Sequence, residues 1–179
     1  RKPLQLSTAN ARTVKPGLAG KTLGTMVHRL LQHWDFAAEV EPQLAAMNVT
    51  ALGPDGQDDQ VQQSVMEEIG QIVRSFAQSA PYDRLRRATV IGREVPFLMP
   101  WNEGRQILEG VIDLLYRLDG KLWIADYKTD RVPPDQVAAR AEAYREQARL
   151  YREAVARSLG EPVAGFEFIF LRQGVSIAV

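Results

Sequence analysis

Two aspartates and a lysine in the second half of the chain have the types and spacing for chemistry. Asp119-Gly120 separates two apolar runs, 107–118 and 121–128, and is the strongest short hairpin signal in the sequence. If those two residues are the turn, Asp113 lies directly across from Asp126. Lys128 shares the face of Asp126, because side chains alternate with period two. Two opposed carboxylates repel, and partial burial raises the pKa of one of them. A divalent cation reverses that balance, since closely spaced carboxylates are hard oxygen ligands for Mg²⁺ or Mn²⁺. A lysine further along the same face can then act on charge that develops beside the ion. A purely structural reading stays open at this point, with Asp126 facing solvent and paired to Lys128, and Asp113 serving as an edge-strand charge. Against it stand the apolar neighbours Val111, Ile112, Leu114, Leu115, Ile124 and Ala125, which fill both faces as in a central strand.

The elements that must position these residues follow from periodicity. Residues 1–21 have no period and contain Gly and Pro, so they read as an arm or loop. Leu23, Val27, Leu30, Leu31 and Trp34 recur at helical spacing and predict a helix over about 22–40. A glycine-bearing polar stretch, Gly53–Asp59, precedes a second helix carrying Val61, Val65, Ile69, Ile72, Val73 and Phe76, which ends before Pro81. A β-rich run over 88–99 contains Pro96 and so reads as an edge or a strand end. After Pro133-Pro134 a single long helix is expected over 135–159, stopped by Gly160 and Pro162. Gly165–Leu171 and Val175–Val179 read as a closing strand pair. The expected domain is single: a helical part over 22–80 and a sheet-and-helix core over 88–179.

Composition excludes several classes. The 179 residues suffice for one self-supporting core. There is no cysteine, which removes disulfides, thiolate zinc sites and iron–sulfur clusters. No apolar run approaches the ~20 residues of a membrane span, so a cytoplasmic protein without membrane contact is expected. The first residue, Arg1, reads as the start of a cut or processed chain. Lys and Arg total 22, as do Asp and Glu. That balance is unlike a free-standing nucleic-acid binder, and fits a domain working in an assembly whose other parts grip the strand.

Five short motifs then fall in one order. Ile124-Ala125-Asp126-Tyr127-Lys128-Thr129 resembles the DYKT signature of RecB-family nucleases, and Glu109-Gly110-Val111-Ile112-Asp113 resembles the strand bearing their first aspartate. Gly24-Thr25-Met26-Val27-His28 resembles their GxxxH helix, Arg93-Glu94-Val95-Pro96-Phe97 their ExPF strand, and Tyr144 to Tyr151 their YxxQxxxY helix. Together the motifs cover about residues 20–155. The chain thus resembles the RecB-like branch of the PD-(D/E)XK superfamily, most closely the C-terminal nuclease domain of AddA- or RecB-type (UvrD-like) helicase–nuclease subunits. Ile112 stands where the superfamily's proline would precede the aspartate. The iron–sulfur branches are excluded by the missing cysteines.

The resemblance implies an α/β (α+β) restriction-endonuclease-like core, a central mixed sheet flanked by helices. It implies hydrolysis of DNA phosphodiesters with Mg²⁺ or Mn²⁺, the ion held by His28, Asp113, Asp126 and the Tyr127 carbonyl. Asp113, Asp126 and Lys128 are the implied catalytic residues, with Glu94, Gln147 and Tyr151 supporting the site or touching DNA. The implied setting is an exonuclease module in double-strand break repair and recombination. Single-stranded DNA and helicase domains, on the same polypeptide or on a partner, are the implied partners. Each supporting residue also has a plain reading: His28 as a surface or satisfied core histidine, Glu94 as a solvated strand-end charge, and Tyr144 and Tyr151 as core. The rival functions are a non-catalytic domain that guides or scaffolds DNA and a metal-free interaction domain.

Overall fold

The computed structural model describes residues 4–5, 18–46, 59–101 and 103–179. In chain order these form β1 (Leu4–Gln5), α1 (Leu18–Gln32), α2 (Val40–Ala45), α3 (Asp59–Ala77), α4 (Ala80–Arg86), β2 (Thr89–Trp101), β3 (Gln106–Leu118), β4 (Lys121–Lys128), a 3₁₀ turn (Pro134–Gln136), α5 (Val137–Glu142), α6 (Arg145–Leu159), β5 (Val163–Phe170) and β6 (Val175–Ala178). Most of the expected arm, and the stretch 53–58, lie outside the described residues.

One mixed sheet organises the molecule. β2 and β4 are antiparallel neighbours of β3, β5 runs parallel to β4, and β6 closes antiparallel to β5. The short β1 runs parallel to β3 at Leu108 and Glu109, a pairing absent from the expectation of a structureless arm. The hairpin register is the expected one: Leu118 faces Lys121 and Leu114 faces Ala125. Asp119 and Gly120 both have positive φ (50° and 75°), the conformation a tight two-residue hairpin turn needs.

The central strands are apolar on both faces, so each face buries its own core. On one side Leu114, Tyr116, Ala125, Tyr127 and Ile169 meet α1, α3 and α4 through Val27, Leu31, Ile69, Phe76 and Tyr82. On the other side Leu115, Ile124, Phe166 and Phe168 meet Val137 of α5 and Ala148, Tyr151 and Val155 of α6. The two helical layers clamp the strand ends where the candidate residues lie.

Two helices differ from expectation for local reasons. α1 ends at Gln32, not near 40, because His33 and Trp34 donate to carbonyls three residues back and tighten the last turn. Asp35 then accepts from the Ala37 amide and opens a turn. The expected 135–159 helix is broken at Ala143-Tyr144. Tyr144 has φ −101° and ψ 3°, its amide donates to Ala141 O, and α6 begins one residue later. The stretch around Pro81, read as a helix stop, also opens the new helix α4, where proline fits in the first turn behind the Ser79 N-cap.

Candidate metal centre at a strand end

The β3–β4 ladder stops at Leu114 opposite Ala125, one step before the two aspartates would pair. Asp113 instead turns its Oδ2 to accept a 2.7 Å hydrogen bond from the Tyr127 amide. The next element across, β2, also departs from regular geometry here. Glu94 lies between the pairs Arg93–Leu114 and Val95–Ile112 with φ 48°, a left-handed conformation costly for a non-glycine residue. Around this step Ile112 packs with the α6-side core while Leu114, two residues on, packs with the α1-side core. Glu94 and Asp113 therefore sit where two neighbouring strands exchange faces.

His28 reaches this point from α1. Its Nδ1 is 3.3 Å from Asp113 Oδ1 and 4.0 Å from Glu94 Oε1, while its Nε2 is 3.1 Å from the Tyr127 carbonyl. Both neighbours are acceptors, so the doubly protonated ring is the form that satisfies both of them. Burial opposes that charge, but Asp113, Asp126 and Glu94 outweigh it and push the His28 pKa up to about 9. Gly24, one turn before His28, lets α1 approach: an added Cβ there would stand 3.1 Å from Thr129 Oγ1.

Asp126 enters from β4 with 5% of its surface exposed. Its Oδ1 accepts from Gln147 Nε2 at 2.9 Å. Its Oδ2 lies 2.7 Å from Lys128 Nζ, yet that ionic contact lacks hydrogen-bond geometry, and no donor among the described residues is aligned on the oxygen. Burial, the largest influence, together with the Asp113 charge, outweighs Lys128 and raises the Asp126 pKa to about 6. Burial likewise raises Glu94, with Asp113 adding to it. Lys128 is held up as an ammonium, burial working against it and Asp126 more than compensating.

The donor set suits a hard divalent cation. Ligand atoms of His28, Glu94 and Asp113 all lie within 4.8 Å of one another. The Tyr127 carbonyl meets the same histidine, and Asp126 lies near enough to act on His28 electrostatically, giving the mixed nitrogen–oxygen environment that Mg²⁺ and Mn²⁺ accept.

Among the residues singled out from sequence, His28, Glu94, Asp113 and the Tyr127 backbone contact one another, and Asp126, Lys128 and Gln147 form an adjoining contact group on β4 and α6. Tyr151 is placed differently: it is 1% exposed and its ring packs edge-on against Phe97 at 4.9 Å, so it supports the site from within the core. Sequence reasoning did not foresee Tyr144 and Phe168 around Lys128, with ring centroids 4.1 and 5.2 Å from its Nζ. The helical spacing that marked Tyr144 as core could not show that the helix breaks there.

A helix-clamped mixed sheet with acidic residues and a lysine at one strand end defines a restriction-endonuclease-like nuclease core. The chain belongs to the PD-(D/E)XK nuclease superfamily, whose model matches residues 4–176. It is 34% identical over 139 residues to an ATP-dependent helicase/nuclease subunit from Anoxybacillus flavithermus, covering 74% of this chain and 11% of that protein. The same-named proteins of Moorella thermoacetica and Heliobacterium modesticaldum are 31% and 32% identical, over 91% and 87% of this chain and 12% of each relative. The chain thus spans about an eighth of the length of these relatives. No helix among the described residues is long and apolar enough to cross a membrane.

Proposed function

We propose that this chain is a single catalytic domain that hydrolyses DNA phosphodiester bonds with Mg²⁺ or Mn²⁺. The observation that carries the reading is the convergence of His28, Glu94, Asp113 and the Tyr127 carbonyl from four elements, in a nuclease family. By the motif resemblance His28, Asp113, Asp126 and Tyr127 O would hold the ion, and Glu94 is grouped with His28 and Asp113. Bound there, the ion supplies charge stabilisation to the phosphodiester and lowers the pKa of water.

The chain's own residues do the rest. The Tyr127 amide fixes Asp113, and the Gln147 amide fixes Asp126, which is how outer groups orient ligands. Lys128 works as a fixed positive charge: the Asp126 carboxylate beside it keeps it an ammonium, so it stabilises negative charge at phosphate instead of abstracting a proton. Asp113, Asp126 and Lys128 are the catalytic group, and Glu94, Gln147 and Tyr151 support it.

The relatives' names describe helicase/nuclease subunits, which supports the further reading of an exonuclease module in double-strand break repair and recombination. Single-stranded DNA would then be delivered by helicase domains, on the same polypeptide or on a partner, in the cytoplasm. Balanced charge agrees with a domain that relies on such delivery.

The deciding test is a Mn²⁺ titration read by thermal shift on wild type and Asp113→Ala, beside cleavage of end-labelled single-stranded DNA. Saturation at about 100 times Kd adds ~2.7 kcal/mol, a rise of roughly 5–10 °C for a chain of this size. Both the rise and cleavage should vanish in the variant. A wild type with neither would move the function to DNA guiding or scaffolding.

A further inference from the structure

Lys128 is only 12% exposed, and among the described residues its ammonium has one carboxylate in contact, Asp126. That carboxylate is also a candidate ion ligand, so the lysine's partner is claimed by a second cation as soon as the site is loaded. Something else must then hold the ammonium in place.

The fold supplies two aromatic faces. Phe168 lies beside Asp126 in the parallel β4–β5 ladder, and Lys128 is two residues further along the same face of β4. Tyr144 completes the enclosure from the break between α5 and α6, its ring 5.3 Å from that of Phe168 at a 42° tilt. The Tyr144 ring is itself anchored. Its hydroxyl reaches Asp130 Oδ2 at 3.3 Å, Arg140 pairs with the same oxygen at 2.9 Å, and the Arg140 guanidinium lies 4.9 Å from the ring. A regular helix through 143–144 would have had no such reason to break.

We propose that Tyr144 is a positioning residue: with Phe168 it forms an aromatic seat that fixes the Lys128 ammonium independently of Asp126. A ring face attracts a cation through its quadrupole and takes up none of its three protons, so the ammonium stays directed yet free to donate to a phosphate oxygen. The catalytic part of this inference rests on the nuclease reading above; the seat itself does not.

Two readouts on the full chain separate the two. The first is the NMR signal of the Lys128 methylene next to nitrogen, in ¹³C-lysine protein and assigned by its absence from Lys128→Arg. Stacked rings should shift it upfield in wild type and Tyr144→Phe, and the shift should largely disappear in Tyr144→Leu. The second is Mn²⁺-dependent cleavage of single-stranded DNA. Tyr144→Phe should keep the wild-type rate, whereas Tyr144→Leu should lose about ten-fold in kcat with little change in KM, as expected for a desolvated cation–π contact. Phenylalanines carrying one, two and three ring fluorines at 144 should lower kcat stepwise, since fluorine drains the ring face while hardly changing its size.

An unshifted lysine signal in wild type overturns the seat. An active wild type with a flat fluorine series, or a fully active Tyr144→Leu, overturns the positioning role. A wild type that shows the shifted signal but no Mn²⁺-dependent cleavage overturns the nuclease reading and leaves the seat standing.

Discussion

The replacement Asp126→Asn should stabilise the metal-free protein while abolishing cleavage. Asp126 is buried beside Asp113, and burial moves its pKa from the ordinary 3.8 to about 6. At ~1.36 kcal/mol per pH unit, ionising this carboxyl above pH 6 costs the native state ~3 kcal/mol. Asparagine keeps the shape without the charge. Its carbonyl can face Lys128 if the Gln147 amide turns to present its own oxygen, so neither neighbour is left without a partner. The raised pKa is already net of the Lys128 attraction, so ~3 kcal/mol is the order of the whole gain. For a domain of this size the gain amounts to roughly 6–12 °C in Tm. The sign with pH follows from the raised folded value. Protonation of Asp126 stabilises the wild type fully below the ordinary 3.8, and that contribution is lost as pH rises through about 6. The gap between variant and wild type therefore opens across that window, is full at pH 8 and closes below about pH 4. Thermal melts in EDTA from pH 4 to 8 measure it, and saturating Mn²⁺ should reverse the order. An asparagine variant less stable than wild type at pH 8, or a gap independent of pH, would refute burial as the cause.

Gln147→Leu removes the donor aligned on Asp126 Oδ1 and should weaken Mn²⁺ binding by about 10- to 100-fold in calorimetry, as outer-group losses do. A variant with wild-type affinity would show that Gln147 has no orienting role. His28→Ala should cost Mn²⁺ affinity far more than affinity for single-stranded DNA measured in EDTA; equal losses would make His28 a DNA contact instead. Gly110→Ala places a Cβ 2.7 Å from the Phe97 ring and 2.9 Å from the Tyr151 hydroxyl. Such overpacking should cost about 1–3 kcal/mol and lower Tm by several degrees. An unchanged Tm would mean that β3 and α6 pack loosely enough to absorb a methyl group.

The hairpin was legible in the sequence because its determinants are local. Asp119-Gly120 can adopt the positive φ values of a tight turn, and the turn alone sets Leu114 opposite Ala125 and carries both aspartates to one strand end. The apolar runs of β3, β4 and β5 likewise announced a sheet covered on both faces. The stop of α6 at Gly160 followed from a left-handed cap that glycine adopts without strain.

What the tertiary structure decided is long-range. His28 meets the Tyr127 carbonyl across 99 residues of chain, and it does so because Gly24 leaves room for α1 against Thr129. The aspartates do not face each other in a ladder, because the Tyr127 amide claims Asp113 and the strands exchange faces at Glu94. The helix over 135–159 breaks at Tyr144, where periodicity alone predicts continuity. Its ring packs against Phe168 and Lys128, and its hydroxyl meets Asp130, contacts that a local pattern cannot encode. Motif order names the residues of such a site; only packing between distant elements sets which atoms they turn toward one another, and therefore their charge states.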